Sequence, residues 1–490
     1  MPVDFLTSDQ KQNYGCYAAE PNDVQLARYF HLDERDLAFI NQRRGKHNRL
    51  GIALQLTTAR FLGTFLTDLT QVLPGVQHFV AVQLNIHRPE VLSRYAERDT
   101  TLREHTALIK EYYGYHEFGD FPWSFRLKRL LYTRAWLSNE RPGLMFDFAT
   151  AWLLQNKVLL PGATTLVRLI SEIRERANQR LWKKLAALPN KWQAAQVMEL
   201  LVIPEGQRVS ALEQLKKGPV TVSGPAFNEA LERYIRLRSL EFSRLNFSGL
   251  PAIQLRNLAR YAGMASVKYI ARMPQQRKLA VLTAFVKAQE ITALDDAVDV
   301  LDMLILDIIR EAKKTGQKKR LRTLKDLDQA ALLLARACAL LLDDNTDVPD
   351  LRQVIFKCVP KNRLAESVSK VNELARPQNN NFHDEMVEQY GRVKRFLPAV
   401  LRDLHFRAAP AGEHVLAAIH YLAELNGSKK RILDDAPEHI ITGPWKRLVY
   451  DAEGRIQRAG YSLCLLERLQ DALRRRDIWL ENSDRWGDPR

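Results

Sequence analysis

Cysteine is scarce in this sequence. Four cysteines occur in 490 residues, and no two of them form a CxxC pair. Structural zinc sites and disulfide frameworks need closely spaced or paired cysteines, so both are disfavoured and reduced thiols in a cytoplasm are expected. The four are Cys16, Cys338, Cys358 and Cys464.

Long apolar runs are absent as well. No stretch approaches the ~18 uncharged residues that a membrane-spanning helix requires. The first five residues, 1–5, carry neither the basic flank nor the apolar run of a signal peptide. We therefore expect a cytoplasmic protein with no membrane partner.

The sequence also lacks the common catalytic motifs. It has no Walker loop, GxGxxG, HExxH or GxSxG pattern, and no cysteine–histidine nucleophile pattern. The densest carboxylates, between Asp295 and Asp307, are spaced to lie on a single helix, whereas metal-dependent phosphoryl chemistry gathers carboxylates from several elements. We expect no catalytic residue, metal ligand, cofactor or small-molecule substrate in this chain.

Basic residues, by contrast, are abundant and unevenly distributed. The chain holds 73 Lys and Arg against 57 Asp and Glu, a net charge of +16 with a pI near 9.6. Residues 1–150 hold 18 bases and 17 acids, whereas residues 151–300 hold 22 bases and 12 acids, a net of +10. Such a balance favours a polyanionic partner, and double-stranded DNA is the partner we expect.

Helical periodicity dominates the chain, and Pro and Gly interrupt it at intervals. The best candidate for a strand is residues 440–449. We predict an all-α protein of several helical bundles that include helix-turn-helix-like DNA-binding units. Breaks near 116–122, 204–206 and 343–350 divide the chain into four predicted domains. They are an N-terminal helical DNA-binding domain (1–118), a second, helix-turn-helix-like DNA-binding domain (119–205), a basic helical domain (206–345) and a helical connecting or dimerisation region (346–490).

Residues 43–49 form the first basic cluster, with four cations and no acid between two helical patterns. Cations at a helix entrance oppose the helix dipole, which prefers anions there. An external anion such as a phosphate would complete the site, as phosphates do at helix N-termini. The alternative is a solvated turn between two core-packed helices. The unopposed charge favours contact with a DNA backbone.

A second pattern has the form of a helix-turn-helix. One helix is predicted around residues 146–154, a turn at 156–162, and a long helix from Thr164 and Thr165 to about Leu188. Either threonine could cap the long helix. The first residues of the second helix reach base edges in such motifs, which would point Thr164, Thr165 and Arg168 at DNA. The alternative is an ordinary basic surface helix.

A third basic cluster, residues 313–322, is predicted to be a loop between two long helices. It would either contact phosphates or be an exposed connection of no further role. All residues predicted to bind DNA are Arg43, Arg44, Lys46, Asn48, Arg49, Arg60, Thr164, Thr165, Arg168, Arg176, Arg180, Lys318, Lys319, Arg320 and Arg322.

The chain resembles the N-terminal half of the Tn-three-type replicative transposases of bacterial class II transposons. Each matching segment is short, but their order over the whole length makes the resemblance specific. The segments are residues 1–7, 43–44 with 48–51, 59–63, 159–166, 322–328, 471–477 and 485–490.

The resemblance implies N-terminal helical domains that recognise terminal inverted repeats, and a homodimer of the full-length protein because two transposon ends must be held together. It also implies an RNase H-like domain whose DDE carboxylates bind magnesium, nick the transposon ends and join them to target DNA. We expect that catalytic half to be missing from this chain, which would make the chain inactive alone.

Two other classes of function remain open. A helical scaffold for protein partners predicts association that is insensitive to salt, with no preference for DNA ends. A complete enzyme that uses the carboxylates at residues 295–307 predicts divalent-metal binding and nicking by this chain alone. A variant of the DNA-binding transposase hypothesis is a transposase fragment that occupies transposon ends without processing them.

Overall fold

The computed structural model describes residues 5–95, 99–342, 351–374 and 382–489. Within these ranges it describes every side chain except those of residues 70, 99, 320, 322–326, 373 and 374. The protein is 69% helical with almost no sheet, which confirms the all-α prediction. A search of the described residues finds no helix with both the length and the apolar character of a membrane span.

Nine helices are described in the first 188 residues. A π-helical turn (Leu26–Phe30) extends the second of them, and a 3-10 segment (Pro89–Tyr95) follows the fifth. They are α1 (Ser8–Asn13), α2 (Asp23–Gln25), α3 (Glu34–Asn41), α4 (Lys46–Leu62), α5 (Pro74–Gln83), α6 (Asp99–Tyr113), α7 (Trp123–Leu137), α8 (Pro142–Gln155) and α9 (Ala163–Ala186).

The described part of the remaining chain is helical too, with four short strands near its end. The helices up to residue 374 are α10 (Lys191–Glu199), α11 (Ala211–Leu215), α12 (Gly224–Arg238), α13 (Ala252–Met264), α14 (Val267–Ala271), α15 (Gln275–Leu341), α16 (Leu351–Cys358) and α17 (Lys361–Leu374). The later elements are α18 (His383–Glu388), α19 (Tyr390–Val393), α20 (Leu397–Asp403), β1 (Phe406–Ala408), α21 (Glu413–Glu424), β2 (Ile432–Leu433), α22 (Gly443–Val449), β3 (Ile456–Gln457), α23 (Arg458–Arg475) and β4 (Ile478–Leu480).

The chain divides into two compact units. Unit 1 comprises residues 1–188, 246–265 and 272–284, and unit 2 comprises residues 189–245, 266–271 and 285–490. In unit 2, β1 pairs antiparallel with β4, and β2 pairs antiparallel with β3. The predicted boundaries after residues 118, 205 and 345 stay a prediction. The predicted break at 343–350 lies outside the described residues.

Helix α4 is the centre of the first core of unit 1. From Leu50 to Ala59 every residue of α4 is buried, including Thr57 and Thr58, as expected of a helix that is surrounded by packing partners. The buried Gln55 is satisfied because its amide donates to the Leu66 carbonyl at 2.7 Å. Fully burying a side chain such as leucine contributes roughly 1.5–3 kcal/mol, so this helix anchors the fold around it.

Helices α7, α8 and α9 build the second core of unit 1. Leu127, Leu131, Leu153, Leu166 and Ile170 are fully buried in it. These side chains come from all three helices at helical spacing, so α8 and α9 are held against α7 through their apolar faces.

Two sequence predictions about secondary structure were wrong. The strand predicted at residues 440–449 is instead the helix α22, with Pro444 in its first turn. The third basic cluster is no loop, because residues 313–322 lie inside the 67-residue helix α15. Gly316 costs about 1 kcal/mol in a helix interior, and buried side chains such as Ile308, Ala312 and Ala330 on either side hold the helix together.

Candidate nucleic-acid interface

The junction between α3 and α4 presents the first basic cluster. Helix α3 begins with the Asp33 side chain accepting a hydrogen bond from the Asp36 amide at 2.7 Å. Helix α4 instead begins after Gly45, whose φ of 86° only glycine adopts readily, and no side chain caps it. Its first turn also lacks an acidic residue. Within the described residues, the amides at the start of α4 therefore have no side-chain acceptor, and an anion would be attracted there.

Hydrogen bonds to the backbone fix the shape of this junction. The Asn48 side-chain amide donates to the Arg44 carbonyl at 2.9 Å, and the Arg49 Nε donates to the Arg43 carbonyl at 3.0 Å. The Arg43 guanidinium lies 5.4 Å from the centre of the Phe39 ring. Asn48 and Arg49 therefore hold the turn, which leaves the cations of the cluster in a defined arrangement.

The cations of the first basic cluster have no carboxylate partner in the part of the chain that the structure describes. Among the described residues, none of Arg43, Arg44, Lys46 and Arg49 has an Asp or Glu oxygen within 4.0 Å, and the exposed side chains of Arg44 and Lys46 make no hydrogen bond. The positive charge of Arg43 also affects the pKa of the buried His105. Burial first, and then the positive charge of Arg43, lower the pKa of His105 to about 4. The junction is therefore a positive site for which the described residues provide no counter-ion.

Arg60, also predicted to bind DNA, occupies a different environment. Its guanidinium binds both oxygens of the Asp36 carboxylate, at 2.5 and 2.7 Å. Tyr113 donates a third hydrogen bond to this carboxylate, at 2.7 Å. Burial opposes ionisation of Asp36, but the bonds from Arg60 and Tyr113 outweigh it and hold the pKa of Asp36 below its usual value. Because its guanidinium is already paired in the fold, we propose no DNA contact for Arg60.

Helices α8 and α9 and the turn between them have the predicted helix–turn–helix order. Helix α9 begins at Ala163, with Gly162 in the capping position and no side-chain cap. Thr164 and Thr165 are therefore inside the first turn, so the prediction that one of them caps the helix was wrong. Thr164 is exposed and Thr165 is half-buried. Like α4, α9 starts with uncapped amides and no acid in its first turn.

Backbone contacts fasten the turn before α9 to the end of α4. The Leu160 amide donates to the Gly63 carbonyl at 2.9 Å, and the Leu159 amide donates to the His116 carbonyl at 2.9 Å. Gly63 ends α4 with a φ of 71°, and an added Cβ there would lie 2.2 Å from Leu154 Cδ2. The structure thereby joins the α8–α9 turn to the C-terminal end of α4. Lys46 is at the other end, about 25 Å away at 1.5 Å per residue.

The exposed face of α9 carries further predicted residues. Arg168 forms a weak ion pair with Glu172, at 3.8 Å, and both side chains are about two-thirds exposed. Arg176 is exposed and has no carboxylate within 4.0 Å among the described residues. The Arg180 guanidinium lies 4.9 Å from the centre of the Trp136 ring. These cations lie outside the buried stripe of α9 and are exposed, so an external anion can reach them.

The third cluster contains exposed, paired and undescribed side chains. Lys318 is exposed on α15. Lys319 forms an ion pair with Glu388 at 2.7 Å. The side chains of Arg320 and Arg322 lie outside those the structure describes. Because the segment is helical and one of its cations is paired, we propose no DNA contact for this cluster.

The carboxylates of α15 between residues 295 and 307 serve as ion-pair partners. Arg485 contacts Asp295, Asp296 and Asp299, and Arg474 binds both oxygens of Asp302 at 2.9 Å. Within the described residues, no group of three or more His, Cys, Asp or Glu side chains is arranged to hold a metal ion. These carboxylates therefore do not fit a magnesium site.

One cation near α9 carried no sequence signal. Arg277, in the first turn of α15, lies with its guanidinium 4.8 Å from the centre of the Trp182 ring. It is 97 residues beyond Arg180 in the sequence, yet both line the same groove of unit 1. No local pattern could have joined the two, since the contact depends on how the chain returns to α9.

The comparisons with known proteins identify relatives along the whole chain. A family model described as "Domain of unknown function (DUF4158)" matches residues 5–173. The transposase for transposon Tn501 of Pseudomonas aeruginosa is 30% identical over 489 residues, which is 100% of this chain and 49% of that protein. The transposase for transposon Tn21 of Escherichia coli is 28% identical over 94% of this chain and 47% of its own length.

A third relative comes from another organism. The transposase for transposon Tn4556 of Streptomyces fradiae is 31% identical over 313 residues, which is 59% of this chain and 35% of that protein. The chain spans about half the length of the curated relatives it matches. All three relatives are transposases of the type that the sequence resembles. The chain is therefore similar, along its whole length, to about half of a Tn-three-type transposase.

Proposed function

We propose that this chain is a DNA-binding part of a replicative transposase and that it recognises the terminal inverted repeats of its transposon through unit 1. The relatives are named as transposases, and DNA is the substrate that such a name implies. We assign no catalytic residue to the chain. Because transposition needs two ends held together, we expect two copies in the end-bound assembly.

The observation that carries the proposal is the uncompensated charge at the start of α4. Four cations surround a helix N-terminus whose amides have no side-chain cap. Each cation beside such a terminus costs a few tenths of a kcal/mol or more. A phosphate bound there would turn this cost into a gain, because it would accept from the amides and neutralise Arg44 and Lys46 together.

The second contact is the start of α9. Thr164 and Arg168 are exposed there, and Thr165 lies beside them in the first turn. A threonine hydroxyl can donate to or accept from a base edge, and arginine pairs with guanine through two hydrogen bonds. We therefore assign phosphate contacts to the α3–α4 junction and base or adjacent backbone contacts to the start of α9.

The length of α4 supports a division of roles between these two contacts. The α8–α9 turn is attached to one end of α4, and the basic cluster surrounds the other end, about 25 Å away. At 3.4 Å per base pair this distance corresponds to at most about 7 base pairs. Both contacts can therefore lie within a single short duplex.

The test is fluorescence anisotropy of the purified chain with two labelled duplexes, over a salt series. One duplex carries the terminal inverted repeat of the encoding transposon, and the other carries the same bases in scrambled order. We expect tighter binding to the repeat. Arg44→Ala should flatten the slope of log affinity against log salt by about 0.9, the value for one phosphate contact. Arg168→Ala should reduce the preference for the repeat.

A matched control is available in unit 2. Arg475 is exposed on α23 and, among the described residues, has no carboxylate partner. Arg475→Ala should leave both affinity and salt slope unchanged. Equal and weak binding of the unmodified chain to both duplexes would refute the proposal and favour the scaffold hypothesis.

A further inference from the structure

A groove in unit 1 runs between the second half of α9 and residues 274–277. Arg176, Arg180 and Lys183 line it from α9, and Arg277 lines it from the first turn of α15. Its lining includes one carboxylate, Glu175, which accepts a hydrogen bond from Gln179 at 3.0 Å. Among the described residues, none of the four cations has a carboxylate oxygen within 4.0 Å.

Aromatic rings hold two of these cations in place. The Arg180 guanidinium lies over Trp136 and donates to the Tyr132 hydroxyl at 3.1 Å. The Arg277 guanidinium lies over Trp182, and its Nε is buried without a hydrogen-bond partner among the described residues. Guanidinium groups that are already ordered by an aromatic face lose less conformational entropy when they bind an anion. The groove therefore combines unpaired positive charge with partial preorganisation.

The groove adjoins the face of α9 that we assign to DNA, on the side of Thr165. At 3.6 residues per turn, Thr165, Arg176 and Lys183 lie within about 20° of one another around the helix axis. Arg176 is about 16 Å and Lys183 about 27 Å beyond Thr165, at 1.5 Å per residue. A duplex of 3.4 Å per base pair would bring phosphates to the groove within about 8 base pairs of the bases at Thr165.

We propose that this groove binds the phosphate backbone of the same duplex whose bases the start of α9 contacts. Phosphate contacts position a protein on DNA but carry no sequence information. The groove therefore determines the length of the protected DNA and the salt dependence of DNA binding. It does not determine the base preference. This inference rests on the proposed function, and it adds Lys183 and Arg277 to the interface.

The test combines hydroxyl-radical footprinting with the salt series, for the unmodified chain and three variants. The variants are Lys183→Ala, Arg277→Gln and the double variant. Lys183 is exposed, so its truncation leaves the fold intact, and glutamine at 277 retains much of the packing on Trp182. We expect the double variant to flatten the salt slope by about 1.8, which is twice the value for one phosphate. Protection should be lost at one edge of the footprint only.

The ratio of affinities for the repeat and the scrambled duplex should remain that of the unmodified chain. Arg475→Ala again serves as the matched control, with no change expected in footprint or slope. If the double variant keeps the full footprint and slope while the chain still prefers the repeat, the groove proposal is wrong and the proposed function stands. If the double variant loses the preference for the repeat, the assignment to backbone contacts is wrong. If the unmodified chain shows no preference, the proposed function itself fails.

Discussion

Cationic side chains in two regions of this chain have opposite surroundings. Arg485, in unit 2, contacts three carboxylates of α15, and Arg474 binds Asp302 through two nitrogens. Arg44 and Lys46, at the start of α4, have no carboxylate partner among the described residues. Each of these cations carries one positive charge. The charge of Arg474 and Arg485 is neutralised by carboxylates, whereas that of Arg44 and Lys46 remains available to attract a ligand. Uncompensated charge is therefore the better guide to an interface.

This difference also separates stability from binding. A paired cation holds elements of the fold together, so its removal should be detected in unfolding. A cation without a partner contributes little to the fold, and at a helix entrance it is slightly unfavourable. Its removal should instead be detected in DNA affinity. The predictions below test this separation, beginning with the largest effect.

Of the predicted changes, breaking the buried pair of Asp36 and Arg60 should have the largest effect on the stability of unit 1. Asp36 is 1% exposed and accepts from Arg60 and Tyr113. Asp36→Asn leaves the guanidinium without its counter-ion, and breaking a buried pair in this way costs about 3 kcal/mol. Urea unfolding followed by circular dichroism measures the loss.

The pH dependence gives an independent check on the same pair. The pKa of Asp36 is lowered in the fold, so its contribution is complete above the unfolded value of about 3.9 and is lost as pH falls below it. Asp36→Asn should remove this acid sensitivity. The control is Asp36→Asn in an Arg60→Met background, where the added cost should be much smaller. If Asp36→Asn lowers the free energy of unfolding by less than about 1 kcal/mol, Arg60 is not held by Asp36 and is available to contact DNA.

The attachment of the α8–α9 turn to α4 depends on Gly63. Gly63→Ala introduces a side chain at a φ of 71° and a Cβ 2.2 Å from Leu154 Cδ2. The backbone conformation and the overpacking together should cost about 2 kcal/mol. Thermal unfolding measures this cost. Gly143→Ala, at a position where an added Cβ meets no atom within 4 Å, is the matched control, and an equal effect of both would refute the argument.

Arg485→Ala should reveal the role of the paired cations. Its side chain is half exposed, so solvent weakens each of its ion pairs, and the expected loss of stability is about 1 kcal/mol. DNA affinity and its salt slope should not change. Arg44→Ala should show the reverse, with unchanged unfolding and a flatter salt slope. A change in the salt slope on removal of Arg485 would contradict the comparison between the two regions.

The sequence predicted those parts of the fold whose signals are local. The helices on either side of the first basic cluster and the α8–turn–α9 order follow from helical periodicity and its interruptions. The helix α22 could also have been predicted, because Pro444 in its first turn is a common helix-start signal. The cluster at 313–322 was wrongly predicted to be a loop, because high charge and a glycine, Gly316, are typical of loops. Buried side chains on both sides keep α15 continuous through it.

The partners of the charged residues could not be predicted from the sequence. Asp36 and Arg60 are 24 residues apart, and Arg485 is 186 residues from Asp299. Such contacts depend on tertiary packing, which leaves no periodic trace in the sequence. The predicted DNA-binding residues were therefore chosen by charge and by position in the sequence pattern, without knowledge of their partners. The structure divides them into residues with internal partners, such as Arg60 and Lys319, and residues without one, such as Arg44.

The smallest expected effect is a change in the pKa of His105 on DNA binding. Burial first, and then the charge of Arg43, lower this pKa to about 4. A phosphate beside the first basic cluster would offset the charge of Arg43, and the pKa of His105 should rise by a few tenths of a unit. Burial is unchanged by DNA, so the pKa should stay well below the usual value of about 6.5.

NMR titration of a chain labelled with ¹³C at the histidine Cε1 position measures this change, with and without the repeat duplex. Arg43→Gln should raise the pKa in the free chain and abolish the further rise on DNA binding, because the charge that DNA would offset is gone. His420, exposed in unit 2, is the internal control, and DNA should leave its ¹³C chemical shift unchanged. If DNA binds with the expected salt slope but the pKa of His105 does not move, the phosphates contact the cations of α9 and not the start of α4. The first basic cluster would then be a solvated turn with no role in DNA binding.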